Sequence, residues 1–193
     1  MKRICVFCGS NPGRNPIYAE TAENLGRFFV KNEVELVFGG GRVGLMGKIA
    51  DTVMKNGGRV IGVIPKSLSD KEVAHQGLSE LHIVDSMHTR KAMMEELSDG
   101  FIALPGGFGT FEELCEIITW AQLGFHNKPC GFLNIEGYYD PLVELFDKAT
   151  DEQFVRPEHR KLVIIESEIE PMFDKMKDYK SPVLEKWLNK EET

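Results

Sequence analysis

The stretch FIALPGGFGTFEE, residues 101–113, leads from an apolar run through a glycine-rich turn into a helical pattern. FIAL is continuous rather than alternating, which is typical of a strand covered on both faces. Thr110 and Glu113 fit the capping box Thr-x-x-Glu of a helix start. The glycines before them leave the backbone amides open to a ligand. The stretch is therefore either an ordinary helix cap or the floor of a binding site.

The same succession of apolar run and helical pattern extends along the chain. Six more predicted strands cover residues 3–8, 34–38, 59–64, 81–84, 130–135 and 162–165. The clearest predicted helix, residues 43–56, ends at KNGG. Strands that alternate with helices favour right-handed crossovers and a parallel sheet covered on both faces. The predicted fold is a Rossmann-like, doubly wound α/β domain.

The size and charge of the chain limit the number of its domains and the kinds of partner that it can bind. With 193 residues and 42% hydrophobic content, we expect a single domain over 1–193, with a frayed tail from about 188. A net charge of -7 disfavours nucleic acid and anionic membranes as partners. The apolar runs are far shorter than the roughly 20 residues that span a bilayer, and the N-terminus does not resemble a signal peptide. We expect a cytoplasmic protein.

The four cysteines do not indicate a metal or redox site. Cys5 and Cys8 form C-x-x-C, but positions three apart on a strand face opposite sides. The chain has no second C-x-x-C and no H-x-x-x-H. We therefore expect core thiols and no bound metal.

Glycine-rich segments follow three of the predicted strands: GSNPG (9–13), GGGRVG (39–44) and PGGFGT (105–110). Ligands of doubly wound sheets bind beyond the carboxyl ends of the strands, so these loops predict one binding cleft. GGGRVG matches G-x-G-x-x-G but lacks the acidic residue that a dinucleotide site needs about 20 positions later. It is not a Walker A loop either, because Arg42 and Ile49 replace the required glycine and Ser/Thr.

The segment DSMHTRKAMMEE, residues 85–96, adds two cations to the same edge of the sheet. Asp85 or Ser86 can cap a helix, which places Arg90 and Lys91 near its start, where the dipole disfavours cations unless an anion is close. Lys91 has an ordinary explanation as an i,i+4 partner of Glu95. Arg90 has no comparable partner, so it points more strongly to function.

The combination of SMHTRKAMM with PGGFGTFEE closely resembles the Lonely Guy family of cytokinin riboside 5'-monophosphate phosphoribohydrolases, which are often mislabelled as lysine decarboxylases. The family's P-G-G-x-G-T-x-x-E is complete from Pro105 to Glu113, and its Arg-Lys is Arg90-Lys91. Further similar segments are CVFCGSNPG, GGGRVGLMG, VIPKSL, ITWAQLGFHNKP and GFLNIEGYYDPL. The resemblance extends from about residue 3 to about residue 150.

The resemblance implies hydrolysis of the N-glycosidic bond of an adenosine 5'-monophosphate, preferably N6-prenylated, by a homodimer without a cofactor. Such cleavage builds positive charge on the ribose, which a carboxylate stabilises. The implied catalytic residues are Glu113 and Arg90, and the motif's spacing selects Glu113 over Glu112. The implied substrate-binding residues are Glu72, Arg90, Lys91, Gly106, Gly107, Gly109, Thr110 and Thr119. The bulky run IITWAQLGF (117–125) also favours a homodimer.

Two other functions stay open at this point. A non-catalytic nucleotide or cofactor carrier, similar to molybdenum cofactor carrier proteins, can share the fold, although intact Arg90 and Glu113 argue against it. A pyridoxal phosphate-dependent decarboxylase needs a lysine that forms a Schiff base. The candidate lysines are Lys48, Lys66, Lys91 and Lys128, and no pattern singles one out.

Overall fold

A computed structural model describes residues 1–69 and 74–182 of the chain. Its strands are β1 (Arg3–Phe7), β2 (Glu35–Phe38), β3 (Val60–Pro65), β4 (Glu80–Val84), β5 (Gly100–Ala103), β6 (Cys130–Leu133) and β7 (Val163–Glu166). All seven predicted strands are present, with bounds that differ by one or two residues. Glu72 and the tail from residue 188 lie outside the described residues, so neither prediction is tested here.

Helices follow most of the strands. They are α1 (Ile17–Lys31), α2 (Gly44–Lys55), α3 (Lys66–Ser69), α4 (Met87–Glu96), α5 (Phe108–Leu123), α6 (Asp140–Asp151), α7 (Pro157–Arg160) and α8 (Ile169–Asp178). The predicted helix over 43–56 is α2. The capping box at Thr110 is wrong, because α5 begins at Phe108 and Gly107 is its N-cap residue. Thr110 instead lies within the first turn.

The seven strands form one parallel sheet in the order β4-β3-β2-β1-β5-β6-β7. The chain starts in the middle, winds outward to β4 and returns to pair β5 with β1, where Cys5 lies opposite Phe101. The predicted doubly wound fold is confirmed. The change of winding direction between β1 and β5 is the position where such sheets bind ligands.

Helices cover both faces of the sheet. Ile4 and Val6 of β1 pack in one core cluster with residues of α1, α2 and α8. Cys5 and Phe7 point the other way, into a second cluster with residues of α4 and α5. Cys8 belongs to the first cluster and is a free, buried thiol like Cys5. The prediction that these two cysteines are core thiols on opposite faces is confirmed, and burial raises the pKa of both.

The described residues contain no helix long and apolar enough to cross a membrane. Within the same ranges, 1–69 and 74–182, no group of three or more His, Cys, Asp or Glu side chains is placed to hold a metal ion.

Candidate active site

The three glycine-rich loops meet at the carboxyl edge of the sheet. The Gly9 amide donates to the Pro105 carbonyl at 3.1 Å, and the Leu45 amide, at the start of α2, donates to the Gly9 carbonyl at 3.0 Å. The predicted convergence is confirmed. The loops surround a cleft of about 400 Å³. Its lining residues are Cys8, Ser10, Gly39, Gly41, Val43, Met46, Ile64, Leu68, Met87, Arg90, Gly107, Phe108, Gly109, Thr110 and Glu113.

Arg90 lies in the first turns of α4 with its guanidinium group held from two sides. Ser86 caps α4 by accepting a hydrogen bond from the Thr89 amide at 3.0 Å. Arg90 donates through Nε to the Val63 carbonyl at 3.2 Å and through a terminal nitrogen to Glu113 Oε1 at 2.5 Å. Glu113 is therefore the anion that offsets the unfavourable interaction between Arg90 and the dipole of α4.

Gly39, at the end of β2, makes room for this guanidinium group. A Cβ atom at position 39 would lie 2.0 Å from a terminal nitrogen of Arg90. The sequence places Gly39 in a glycine-rich loop but does not single it out as a site residue. Its role is to let the Arg90 side chain pass close to the backbone, because a larger residue would force the guanidinium group to shift.

Glu113 is the carboxylate that faces the cleft. Its side chain is 10% exposed, whereas that of Glu112 is 53% exposed and is bound by Lys91. Burial raises the pKa of Glu113 above its ordinary value, and the charge and hydrogen bond of Arg90 oppose this effect. The surroundings of this carboxyl group therefore shift its pKa, as is common for residues at functional sites.

The first turn of α5 presents open amides to the cleft. Its N-cap residue, Gly107, provides no side-chain hydrogen bond. A Cβ atom at Gly107 or Gly109 would meet nothing within 4 Å, so packing does not demand glycine at either position. Gly106 is different, because a Cβ atom there would lie 2.1 Å from the buried Thr110 hydroxyl. Helix starts of this kind bind anions such as phosphate.

Two tyrosines hold the glycine loop and the residue before it through backbone carbonyl groups. The Tyr138 hydroxyl donates to the Gly106 carbonyl, and the buried Tyr139 hydroxyl donates to the Leu104 carbonyl at 2.7 Å. Gly106 itself lines an adjoining cavity of about 250 Å³, which shares Ser10 and Gly107 with the cleft. Sequence reasoning did not identify these tyrosines, because they lie more than 30 residues from the loop that they hold.

Three of the predicted binding residues that the structure describes are absent from the lining of the cleft: Gly106, which lines the adjoining cavity, Lys91 and Thr119. Lys91 binds Glu112 at 2.5 Å and Glu116 at 2.9 Å, on the far side of Glu113. The alternative i,i+4 pair with Glu95 is wrong, because Glu95 binds Lys128. Thr119 lies on the exposed face of α5, where its hydroxyl donates to the Cys115 carbonyl at 2.7 Å.

One wall of the cleft is apolar, which no motif in the sequence predicted. Phe108 is 91% exposed, and Met87, Val43 and Leu68 also expose large parts of their side chains. Together with Met46 they line the cleft beside the Arg90–Glu113 pair. This wall suits an apolar substituent on a ligand.

The described lining of the cleft includes no lysine. Lys48 binds Glu23 on the surface, Lys91 and Lys128 are held by glutamates, and Lys66 begins α3. A Schiff base to pyridoxal phosphate requires a lysine facing the site. The described residues therefore give no support to the decarboxylase alternative.

Comparison with known proteins places the chain in a family. A family model described as "Possible lysine decarboxylase" matches residues 46–176. A probable cytokinin riboside 5'-monophosphate phosphoribohydrolase of Oryza sativa subsp. japonica is 48% identical over 98% of this chain and 77% of its own length. A cytokinin riboside 5'-monophosphate phosphoribohydrolase of Arabidopsis thaliana is 49% identical over 92% of this chain and 84% of its own length.

Solved structures share the fold at much lower identity. The molybdenum cofactor binding protein from the phototrophic bacterium Rippkaea orientalis aligns with a TM-score of 0.68 at 22% identity, over 92% of this chain and 97% of that one. The molybdenum cofactor carrier protein from Chlamydomonas reinhardtii aligns with a TM-score of 0.66 at 18% identity, over 92% and 96%. These likenesses concern the fold, whereas the matches along the sequence establish that the chain belongs to the Lonely Guy family.

Proposed function

We propose that the protein hydrolyses the N-glycosidic bond of N6-substituted adenosine 5'-monophosphates and releases the free base and ribose 5-phosphate. The observation that carries the proposal is the buried Arg90–Glu113 pair at the edge of a cleft whose floor is the start of α5. The names of relatives about 48% identical to this chain support it.

The chemistry follows from the charge that develops during bond cleavage. As the bond between ribose and base breaks, its electrons leave with the base, and positive charge builds on the ribose ring. The Glu113 carboxylate stabilises that charge and takes a proton from the water whose oxygen bonds to the anomeric carbon. The departing base nitrogen takes up a proton from solvent, and Glu113 returns its proton to solvent, so that one water is consumed for each bond broken. Arg90 holds the carboxylate in place through their 2.5 Å contact.

Two other parts of the cleft suit the 5'-phosphate and the N6 substituent of such a nucleotide: the start of α5 and the apolar wall. We assign the 5'-phosphate to the amides of Gly107, Gly109 and Thr110, with Gly106 and the Thr110 hydroxyl beside them, because this helix start is open. We assign the N6 substituent to the apolar wall around Met87 and Phe108. Burying a five-carbon apolar group against such a wall would contribute about 2 kcal/mol or more to binding.

A requirement for the 5'-phosphate tests this proposal. The net charge of -7 makes the rest of the surface a poor substitute for the anion site at the start of α5. We expect kcat/KM for a nucleoside to be at least about a hundredfold below that of its 5'-monophosphate, as measured by chromatography of released base. Equal turnover of the two compounds would contradict the assignment.

The carrier alternative makes a different prediction in the same assay. A carrier binds its ligand and releases it unchanged, so no free base would form from any nucleotide. The molybdenum cofactor proteins with solved structures share the fold with this chain at 18–22% identity. A shared fold at this level of identity does not establish a shared function. The buried carboxylate beside an open cleft favours the hydrolase.

We also propose a homodimer formed through the outer faces of α5 and α6. A groove there is lined by Ile118, Thr119, Phe146 and Val155. Phe154, at the end of the same region, is 87% exposed. Exposed apolar surface of this kind often marks an interface between subunits. Thr119 would need a second copy to bring it to a cleft, so its predicted role depends on this assembly.

Light scattering tests the dimer. The expected mass is twice the chain mass of 21.8 kDa. Leu145 of α6 is 59% exposed, and Phe154→Glu combined with Leu145→Glu is expected to shift the mass toward the monomer. Ile83→Glu is the matched control, because Ile83 is also exposed but lies on the edge strand β4, at the other end of the sheet. A monomeric wild-type protein would contradict the proposal. The cytoplasmic location stays a prediction from the sequence.

A further inference from the structure

Lys91 lies behind the Arg90–Glu113 pair rather than in the cleft. Its ammonium group is 2.5 Å from Glu112 Oε1 and 2.9 Å from Glu116 Oε1, and its side chain is only 9% exposed. Glu112 and Glu116 are one helical turn apart on α5, on either side of Glu113 in sequence. Lys91, Glu113 and Glu116 share a small cavity of about 10 Å³ on the side away from the cleft.

The contacts between α4 and α5 form a set of alternating charges. Two consecutive cations of α4 face three carboxylates of α5, with Arg90 on Glu113 and Lys91 on Glu112 and Glu116. Without Lys91, Glu112 and Glu116 would lose the cation that pairs with both, and Glu112 is the carboxylate whose charge acts on Glu113. Neighbouring like charges favour the protonated, neutral form of a buried carboxyl group.

We propose that Lys91 is a positioning residue that acts on Glu113 through Glu112 and Glu116 and does not contact the substrate. By compensating these two carboxylates, it keeps Glu113 ionised and ready to stabilise the ribose cation. The proposal rests on the proposed function, in which the ionised form of Glu113 is the active one. It replaces the substrate contact that the family resemblance implies for Lys91.

The direction of the expected pH effect follows from the groups around Glu113. These are Cys5 of β1, Cys8 directly after it, Arg90, Lys91 and Glu95 of α4, and Glu112 and Glu116 of α5. Burial keeps both thiols neutral by raising their pKa. Burial and Glu112 raise the pKa of Glu113, whereas Arg90 and Lys91 lower it. Removing Lys91 therefore raises this pKa further and moves the acid limb of kcat/KM to higher pH.

The test compares pH profiles of Lys91→Met and Lys91→Arg. For Lys91→Met we expect the acid limb of kcat/KM to move to higher pH, with activity approaching the wild-type level at high pH and KM little changed. Lys91→Arg keeps the charge and should keep the wild-type limb. Adding Glu112→Gln to Lys91→Met removes one uncompensated carboxylate and should move the limb back.

A substrate contact by Lys91 would give a different pattern and would overturn the inference. KM would rise at every pH, the acid limb would stay in place, and Glu112→Gln would not restore activity. Should Lys91→Met alone fold poorly, the double variant, which lacks one of the two carboxylates, and Lys91→Arg still separate the two patterns.

A spectroscopic titration separates this inference from the proposed function. The carboxyl carbon of Glu113 can be followed by ¹³C NMR and assigned by its loss in Glu113→Gln, which requires no turnover. We expect its midpoint to rise in Lys91→Met and to return in the double variant with Glu112→Gln. An unchanged midpoint would overturn the inference even in an active enzyme. Absence of turnover in the wild type would instead contradict the proposed function.

Discussion

Glu113→Gln is expected to lower kcat by about a hundredfold or more in an enzyme that stays folded. Glutamine has nearly the same shape and still accepts a hydrogen bond from Arg90, so the 2.5 Å contact can persist in weaker form. What is lost is the negative charge facing the ribose and the base that activates water. Steady-state kinetics with a prenylated adenosine monophosphate measures the effect.

The stability of this variant separates catalysis from structure. Weakening a charge-assisted hydrogen bond costs about 1–3 kcal/mol, which corresponds to a fall in Tm of several degrees in a chain of this size. Glu112→Gln is the matched control, since Glu112 is the adjacent carboxylate but is exposed and turned to Lys91. Its effect on kcat should be less than tenfold. A folded Glu113→Gln enzyme with nearly full activity would show that Glu113 is only a structural residue.

Arg90→Ala is expected to reduce kcat by a similar factor and to lower stability more. The side chains of Arg90 and Glu113 are 8% and 10% exposed, so the variant leaves a buried carboxylate without its partner. Breaking a buried ion pair costs about 3–5 kcal/mol. Glu113 would respond by taking up a proton, which removes the charge that catalysis needs. Kinetics and a thermal melt at neutral pH measure the two effects.

A double variant checks this explanation of Arg90. In Arg90→Ala with Glu113→Gln no unpaired charge remains, so Tm should recover part of the loss while activity stays low. The two rate effects should also be far from additive, because both residues act through one carboxylate. Additive losses in the double variant would contradict the pair as a single functional unit.

The fold could be predicted from the sequence because its signals are local. Continuous apolar runs such as ICVF and FIAL identify buried strands wherever they occur, and the alternation with helices then favours a parallel sheet. The convergence of the three glycine-rich loops followed from this topology alone. The choice of Glu113 over Glu112 came from the motif, and the structure turns Glu113 toward the cleft.

The parts that could not be predicted depend on contacts between distant segments. The spacing of Thr110 and Glu113 matched a capping box, but Glu113 turns to Arg90 of another helix instead. Lys91 had a plausible partner four residues away, yet it reaches glutamates on α5. The sequence does not distinguish Gly39 from the other loop glycines, because the guanidinium group beside it comes from the distant residue Arg90. Local patterns do not contain such tertiary contacts.

The central claim is that this cleft breaks the N-glycosidic bond of an N6-substituted adenosine monophosphate. The most direct measurement is to incubate the purified protein with N6-prenylated adenosine 5'-monophosphate and to quantify free base and ribose 5-phosphate by chromatography. We predict equal amounts of both products, formed by the wild-type protein and about a hundredfold more slowly by Glu113→Gln. Recovery of intact nucleotide from the wild-type protein, bound or unbound, would contradict the claim.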